Sequence, residues 1–239
     1  MLEPHLRVAG PEDDRPRPAV LLFHGCGGMR PHLQAYAEAA REVGVRAFAV
    51  DSFAPRRWPK AYTRFLVCTG ARFWGRERAG DVLAAVWGVT RRPEVDASRI
   101  VLAGWSHGGW AIMDLMTMAL ERPGEAGLAD PDPAPLEGLR GLFLAYPYGG
   151  FGALSRRRPW LRSAPTLAVL PELDHVTSRR DARTLFEAVR GACAELELWE
   201  VSGATHSFDE VTGVFPMRYD AELSAHSLER FRGFLERVL

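Results

Sequence analysis

The stretch Arg99-Ile100-Val101-Leu102-Ala103-Gly104-Trp105-Ser106-His107-Gly108-Gly109 decides the fold. Its first half is apolar and partly β-branched, as in a buried strand, and Ala111-Ile112-Met113 and Leu115-Met116 beyond it are apolar at helical spacing. Between the two lies a G-x-S-x-G pentapeptide, so the chain passes from strand through a sharp turn into a helix. Small residues on either side of such a turn let the backbone fold tightly enough to expose the serine Oγ. Ser106 is therefore the candidate nucleophile; the competing reading is a plain tight turn whose serine caps the helix.

Outward from this turn, short runs rich in Val, Ile, Leu and Phe alternate with longer stretches of helical period. That pattern predicts an α/β fold with a mostly parallel central sheet and helices on both faces. The expected strands are Ala19 to His24, Arg46 to Asp51, Arg99 to Trp105, Gly141 to Tyr146, Thr166 to Leu170 and Glu195 to Val201. The expected helices are His32 to Val43, Arg76 to Thr90, His107 to Glu121, Ser178 to Gly191 and Asp220 to Leu239. In the last of these Leu223, Ser227, Phe231, Phe234 and Leu235 share a face that should close against the sheet. Three irregular stretches interrupt the pattern, at 52–74, 122–135 and 147–165. The first and third follow strands and should flank the functional edge, the first as a partial lid; the second follows a helix and reads as a surface connection.

At 239 residues the chain fits a single domain spanning 1–239. The formal net charge is zero, so no global field draws it to nucleic acid or to an anionic membrane. The N-terminal stretch does not read as a signal peptide, and no segment approaches the roughly 20 apolar residues of a membrane span. Three cysteines, Cys26, Cys68 and Cys193, without C-x-x-C spacing argue against a disulfide framework and against a zinc site. A reducing cytoplasm is the expected location. Walker, G-x-G-x-x-G and H-E-x-x-H patterns are lacking, and no cofactor or metal is expected.

A serine nucleophile needs a base, and the base an orienting acid, in the chain order Ser, Asp or Glu, His. Pro171-Glu172-Leu173-Asp174-His175 follows one expected strand and Ser202-Gly203-Ala204-Thr205-His206-Ser207-Phe208-Asp209 follows the last. His206 is the candidate base, since it leaves a strand end in a Gly-containing loop downstream of both other members. Asp174 is the candidate acid, with Glu172 as rival, Asp209 as third choice, and capping of the next helix as the structural alternative for Asp174. The oxyanion donors would be the His107 amide and an amide in His24-Gly25-Cys26-Gly27-Gly28, with Cys26 favoured and Gly27 the alternate. Cys26 lacks an ordered partner set and is a poor nucleophile candidate, as is Ser52. Phe53, Trp58, Trp105, Tyr146 and Phe208 lie in or beside the edge loops and could line an apolar pocket. Arg56 and Arg57 are read as surface residues.

With these parts in place, the chain resembles the dienelactone hydrolase family of the α/β-hydrolase superfamily over nearly its whole length. The resemblance rests on His24-Gly25-Cys26-Gly27-Gly28, Asp51-Ser52-Phe53, Gly104 to Gly109 and Gly203 to Asp209. The enzymes that name the family carry cysteine at the turn and a carboxylate in the oxyanion loop, whereas this chain has Ser106 and no acid there. The resemblance implies the α/β-hydrolase fold and a serine hydrolase acting on a small ester, lactone or thioester. An acyltransferase or small peptidase using the same residues, and a non-catalytic binding protein on the same fold, are the alternatives.

Overall fold

The computed structural model describes residues 5–213 and 215–239. Seven strands form one sheet: β1 (Leu6–Ala9), β2 (Arg17–Phe23), β3 (Arg46–Val50), β4 (Val95–Trp105), β5 (Leu139–Ala145), β6 (Thr166–Leu173) and β7 (Leu196–Thr205). Their spatial order is β1-β3-β2-β4-β5-β6-β7, with β1 antiparallel to β3 and every other pair parallel. The order reverses between β2 and β4, where a crevice opens beyond the carboxyl ends of the strands. The helices are α1 (Pro31–Glu42), the single turn α2 (Lys60–Tyr62), α3 (Gly75–Thr90), α4 (His107–Met116), α5 (Arg179–Val189) and α6 (Ala221–Val238).

The two-residue period of the strands divides the apolar residues between two layers. Ala19, Leu21, Phe23, Ile100, Leu102, Leu142, Leu144, Ala168 and Leu170 face one layer, built with α3, α4 and α5. Val20, Leu22, Val101, Ala103, Phe143, Ala145, Leu167 and Val169 face the other, built with α1 and α6. Both sheet faces are thus covered, and each fully buried Leu or Phe contributes roughly 1.5–3 kcal/mol. In α6 Ser227, Phe231, Phe234 and Leu235 are buried against the second layer, with Leu223 at its margin.

Several expectations need correction. Leu6–Ala9 forms an antiparallel edge strand that its partly exposed, four-residue pattern did not announce. Helix α4 stops at Met116 rather than Glu121, and tertiary partners take the carbonyls at and just beyond its end. Leu161 N–H donates to Met116 O, and the Arg162 guanidinium donates to Met118 O and Ala119 O. The cysteine reading also fails: Cys26 and Cys68 form a disulfide, 42 residues apart in sequence, and Cys193 alone is free. Its partners approach only when the β2 loop and the 52–74 stretch are folded together, which spacing along the chain cannot reveal.

The 52–74 stretch is not irregular throughout. It holds short helical pieces at Ala54–Arg56, α2 and a π-helical turn at Thr63–Val67, with Cys68 at its end. Phe53, Val67 and Phe73 pack there with Trp58, Tyr62 and Cys26 as a small separate cluster. Among the described residues, no helix is long and apolar enough to cross a membrane.

Candidate active site

Ser106 sits between the last residue of β4 and the first of α4, with φ 50° and ψ −110°. A non-glycine residue there is strained by about 1–3 kcal/mol and must be held by its surroundings. The flanking glycines supply that hold through close packing. A Cβ on Gly104 would lie 2.6 Å from Gly109 N, and one on Gly108 would lie 2.0 Å from Phe23 O. The Ser106 amide donates to Ala145 O at 2.9 Å, tying the turn to β5. Tyr146 and Ser207, at the ends of β5 and β7, also have positive φ. Backbone strain thus recurs along this sheet edge.

The serine Oγ lies 2.9 Å from His206 Nε2, and His206 Nδ1 lies 2.8 Å from Asp174 Oδ2. The His206 and Asp174 side chains are 5% and 3% exposed, so this chain of hydrogen bonds is shielded from water. Asp174 Oδ1 accepts the Val176 and Thr177 amides at 2.7 and 2.9 Å, which turns the chain toward α5. Both readings of Asp174 therefore describe one carboxylate: one oxygen builds the turn, the other meets the histidine. Glu172 faces elsewhere, accepting Ser202 Oγ at 2.8 Å and Gly203 N at 2.9 Å.

Asp209, the third acid considered, is buried beneath the site and accepts three hydrogen bonds. They come from Tyr36 Oη (2.9 Å), Trp105 Nε1 (3.2 Å) and Tyr146 Oη (2.6 Å). Tyr146 packs edge-on against the His206 ring at 4.8 Å between centroids. The expected pocket residues divide accordingly. Trp105, Tyr146 and Phe208 are core side chains with at most 2% exposure, and Phe53 is buried in the 52–74 cluster; only Trp58 is partly exposed. Their apolar character, which suggested a pocket, reflects packing beneath the edge loops.

The glycine loop after β2 lies against the serine, since a Cβ on Gly25 would be 3.5 Å from the Ser106 Cβ. Behind it is a buried polar group that the motif reading passed over: His24, Arg78 and the His107 side chain. Arg78 Nη1 donates to His24 O at 2.7 Å and to His107 Nδ1 at 3.1 Å, and its Nε donates to Ser52 Oγ at 3.1 Å. Burial, then the nearby Arg78 charge, pushes His107 down to about 3 and His24 well below the ordinary imidazole range. Burial also lowers Arg78 to about 10, which leaves it charged at neutral pH. One signal of this group was present in the sequence: Arg78 falls on the α3 face that carries Val82, Ala85 and Val89, all buried. Arg56 is half-buried rather than a free surface charge, paired with Asp81 at 2.8 Å.

No family model and no curated protein sequence matches the chain. Solved structures do. Esterase 2 of Thermogutta terrifontis phosphonylated by sarin superposes with TM-score 0.72 at 17% identity, covering 98% of this chain and 89% of the esterase. The butyrate-bound form of that esterase gives 0.68 at 20% identity, over 98% and 88%. A dienelactone hydrolase-like promiscuous phosphotriesterase from metagenomic libraries gives 0.66 at 18%, over 98% and 92%. With its strand order, its strained serine turn and these likenesses, the chain has the α/β-hydrolase fold.

Proposed function

We propose that the protein is a serine esterase for small carboxylic esters, lactones or thioesters, working through an acyl-enzyme on Ser106. The observation that carries this reading is the hydrogen-bonded series Ser106, His206, Asp174 at a strained strand-to-helix turn. His206 Nε2 takes the Ser106 proton as Oγ attacks the carbonyl carbon. Asp174 holds the Nδ1–H tautomer and stabilises the imidazolium that forms. The His107 amide and the Cys26 amide, with Gly27 as alternate, bind the tetrahedral oxyanion. Collapse expels the alcohol, which receives the proton from His206. Water activated by the same imidazole then releases the acid.

A short acyl group is the preferred substrate in this reading, because the Thermogutta esterase was captured with propionate and with butyrate. The adducts of that esterase with organophosphorus agents suggest the probe. The purified protein is expected to hydrolyse p-nitrophenyl butyrate and to gain one fluorophosphonate adduct, mapped by mass spectrometry to Ser106. Ser106→Ala is expected to lose both adduct and turnover, the latter by more than about 10³-fold. An adduct on another residue, or near wild-type turnover by the folded variant, would overturn the proposal.

A further inference from the structure

We infer that Arg78 is a positioning residue for the oxyanion hole, holding the His24 carbonyl and the His107 ring behind the two amides assigned to the reacting carbonyl. The inference rests on the esterase reading above. Arg78 is fully buried, so it cannot touch substrate. Among the described residues no carboxylate hydrogen-bonds to it, and the nearby Asp81 is occupied by Arg56 at 2.8 and 3.0 Å. A buried cation without a paired carboxylate is costly, and an apolar residue of similar volume would avoid that cost. Packing therefore does not account for an arginine on this face of α3.

Its hydrogen bonds do. Ser52 N–H donates to His24 Nε2 at 3.2 Å, so the neutral His24 ring carries its proton on Nδ1. That Nδ1–H donates to Gly25 O at 2.6 Å. The Gly25 carbonyl and the Cys26 amide share one planar trans peptide unit, so drawing the carbonyl toward His24 turns the Cys26 N–H the opposite way. Arg78 fixes the base of this lever by donating to His24 O. Its Nη2 also lies 3.3 Å from His24 Nδ1, a donor-to-donor contact that opposes the Nδ1–H tautomer and is outweighed by the Ser52 and Gly25 bonds. On the other side Arg78 donates to His107 Nδ1, so the His107 proton resides on Nε2 and is donated to Phe73 O at 2.7 Å. The His107 ring is thereby held at both ends, in the residue whose amide opens α4. One guanidinium thus braces both oxyanion donors, and its charge favours negative charge on the carbonyl oxygen.

The test compares Arg78→Lys and Arg78→Gln with the wild type on p-nitrophenyl butyrate, and measures inhibition by a butyl trifluoromethyl ketone and by butyrate. Arg78→Gln is expected to lose roughly 10- to 100-fold in kcat with KM within about 2-fold, less than the loss on deleting an oxyanion donor outright. Ketone affinity should fall by the same factor while butyrate affinity holds. Arg78→Lys, one point charge with fewer aligned donors, should be intermediate. A merely structural role would lower stability without separating kcat from KM or ketone from butyrate. A folded Arg78→Gln with kcat and ketone affinity within 2-fold of wild type would overturn the inference. Should neither variant fold, imidazole nitrogen NMR of the wild type decides: protons on His24 Nδ1 and His107 Nε2 support it, and the opposite tautomer at either ring overturns it. A wild type that neither turns over ester nor labels at Ser106 removes the reaction and this assignment together. Active wild type with an unimpaired Arg78→Gln removes the assignment alone.

Discussion

Three carboxylates competed for one role in the sequence, and their surroundings separate them. Asp174 has an oxygen on the imidazole, Glu172 is spent on Ser202 and Gly203, and Asp209 is enclosed by two tyrosines and a tryptophan. Order along the chain offered all three because each follows a strand end. Selection needed the angle at which β6 and β7 deliver their loops. Asp174→Asn should therefore leave the fold intact and reduce kcat by on the order of 10³- to 10⁴-fold, through loss of the correct imidazole tautomer. Glu172→Gln, at a half-buried position away from the imidazole, should stay within about 2-fold of wild type. Steady-state kinetics on the two variants checks this, and comparable losses in both would show that the acid has been misassigned.

Among the elements, the 52–74 stretch departs furthest from its sequence reading. Its Pro, Gly and Arg content suggested an irregular lid, yet the Cys26–Cys68 bond and the cluster of Phe53, Val67 and Phe73 fasten it to the glycine loop after β2. Closing a loop of this length restricts the unfolded chain, which in the chain-entropy model is worth about 4 kcal/mol and in practice about 2–4. The double variant Cys26→Ser with Cys68→Ser should lose stability of that order in urea denaturation and become cleavable by protease within 52–74. Unchanged stability would mean that the bridge does not form in the folded protein. Helix α4 teaches the same lesson in reverse. Its start was readable from Gly104 to Gly109, a local pattern, whereas the carbonyls at and just beyond its end are met by Leu161 and Arg162, which arrive from more than 40 residues away.

For the whole molecule, three buried titratable groups set a pH dependence of folding. His24 and His107 are held below the unfolded imidazole value of 6.5, so below that pH the unfolded chain binds protons the fold refuses, and stability falls as pH falls. Asp114, fully buried, is raised from 3.8 to about 7 by burial; between these values the fold binds the extra proton, and stability rises as pH falls. With two imidazoles against one carboxyl, stability is expected to fall as pH drops below 6.5, with Asp114 opposing that fall between about 7 and 3.8. Asp114→Asn removes the opposing contribution and should steepen the loss by roughly 1.4 kcal/mol per pH unit in denaturation series between about pH 6 and 4.5. Equal slopes for variant and wild type would show that Asp114 does not titrate in this window. None of these three burials can be read from the chain. Local order in the sequence suffices for the alternating strands and helices, the parallel sheet and the tight serine turn, because strand period, helix period and glycine clearance act over a few neighbouring residues. The pairing of Cys26 with Cys68, the choice among three acids, the inward placement of Trp105, Tyr146 and Phe208, and the Arg78 brace depend on contacts between distant segments. Those contacts acquire their energies only once the sheet has brought the segments together and excluded water.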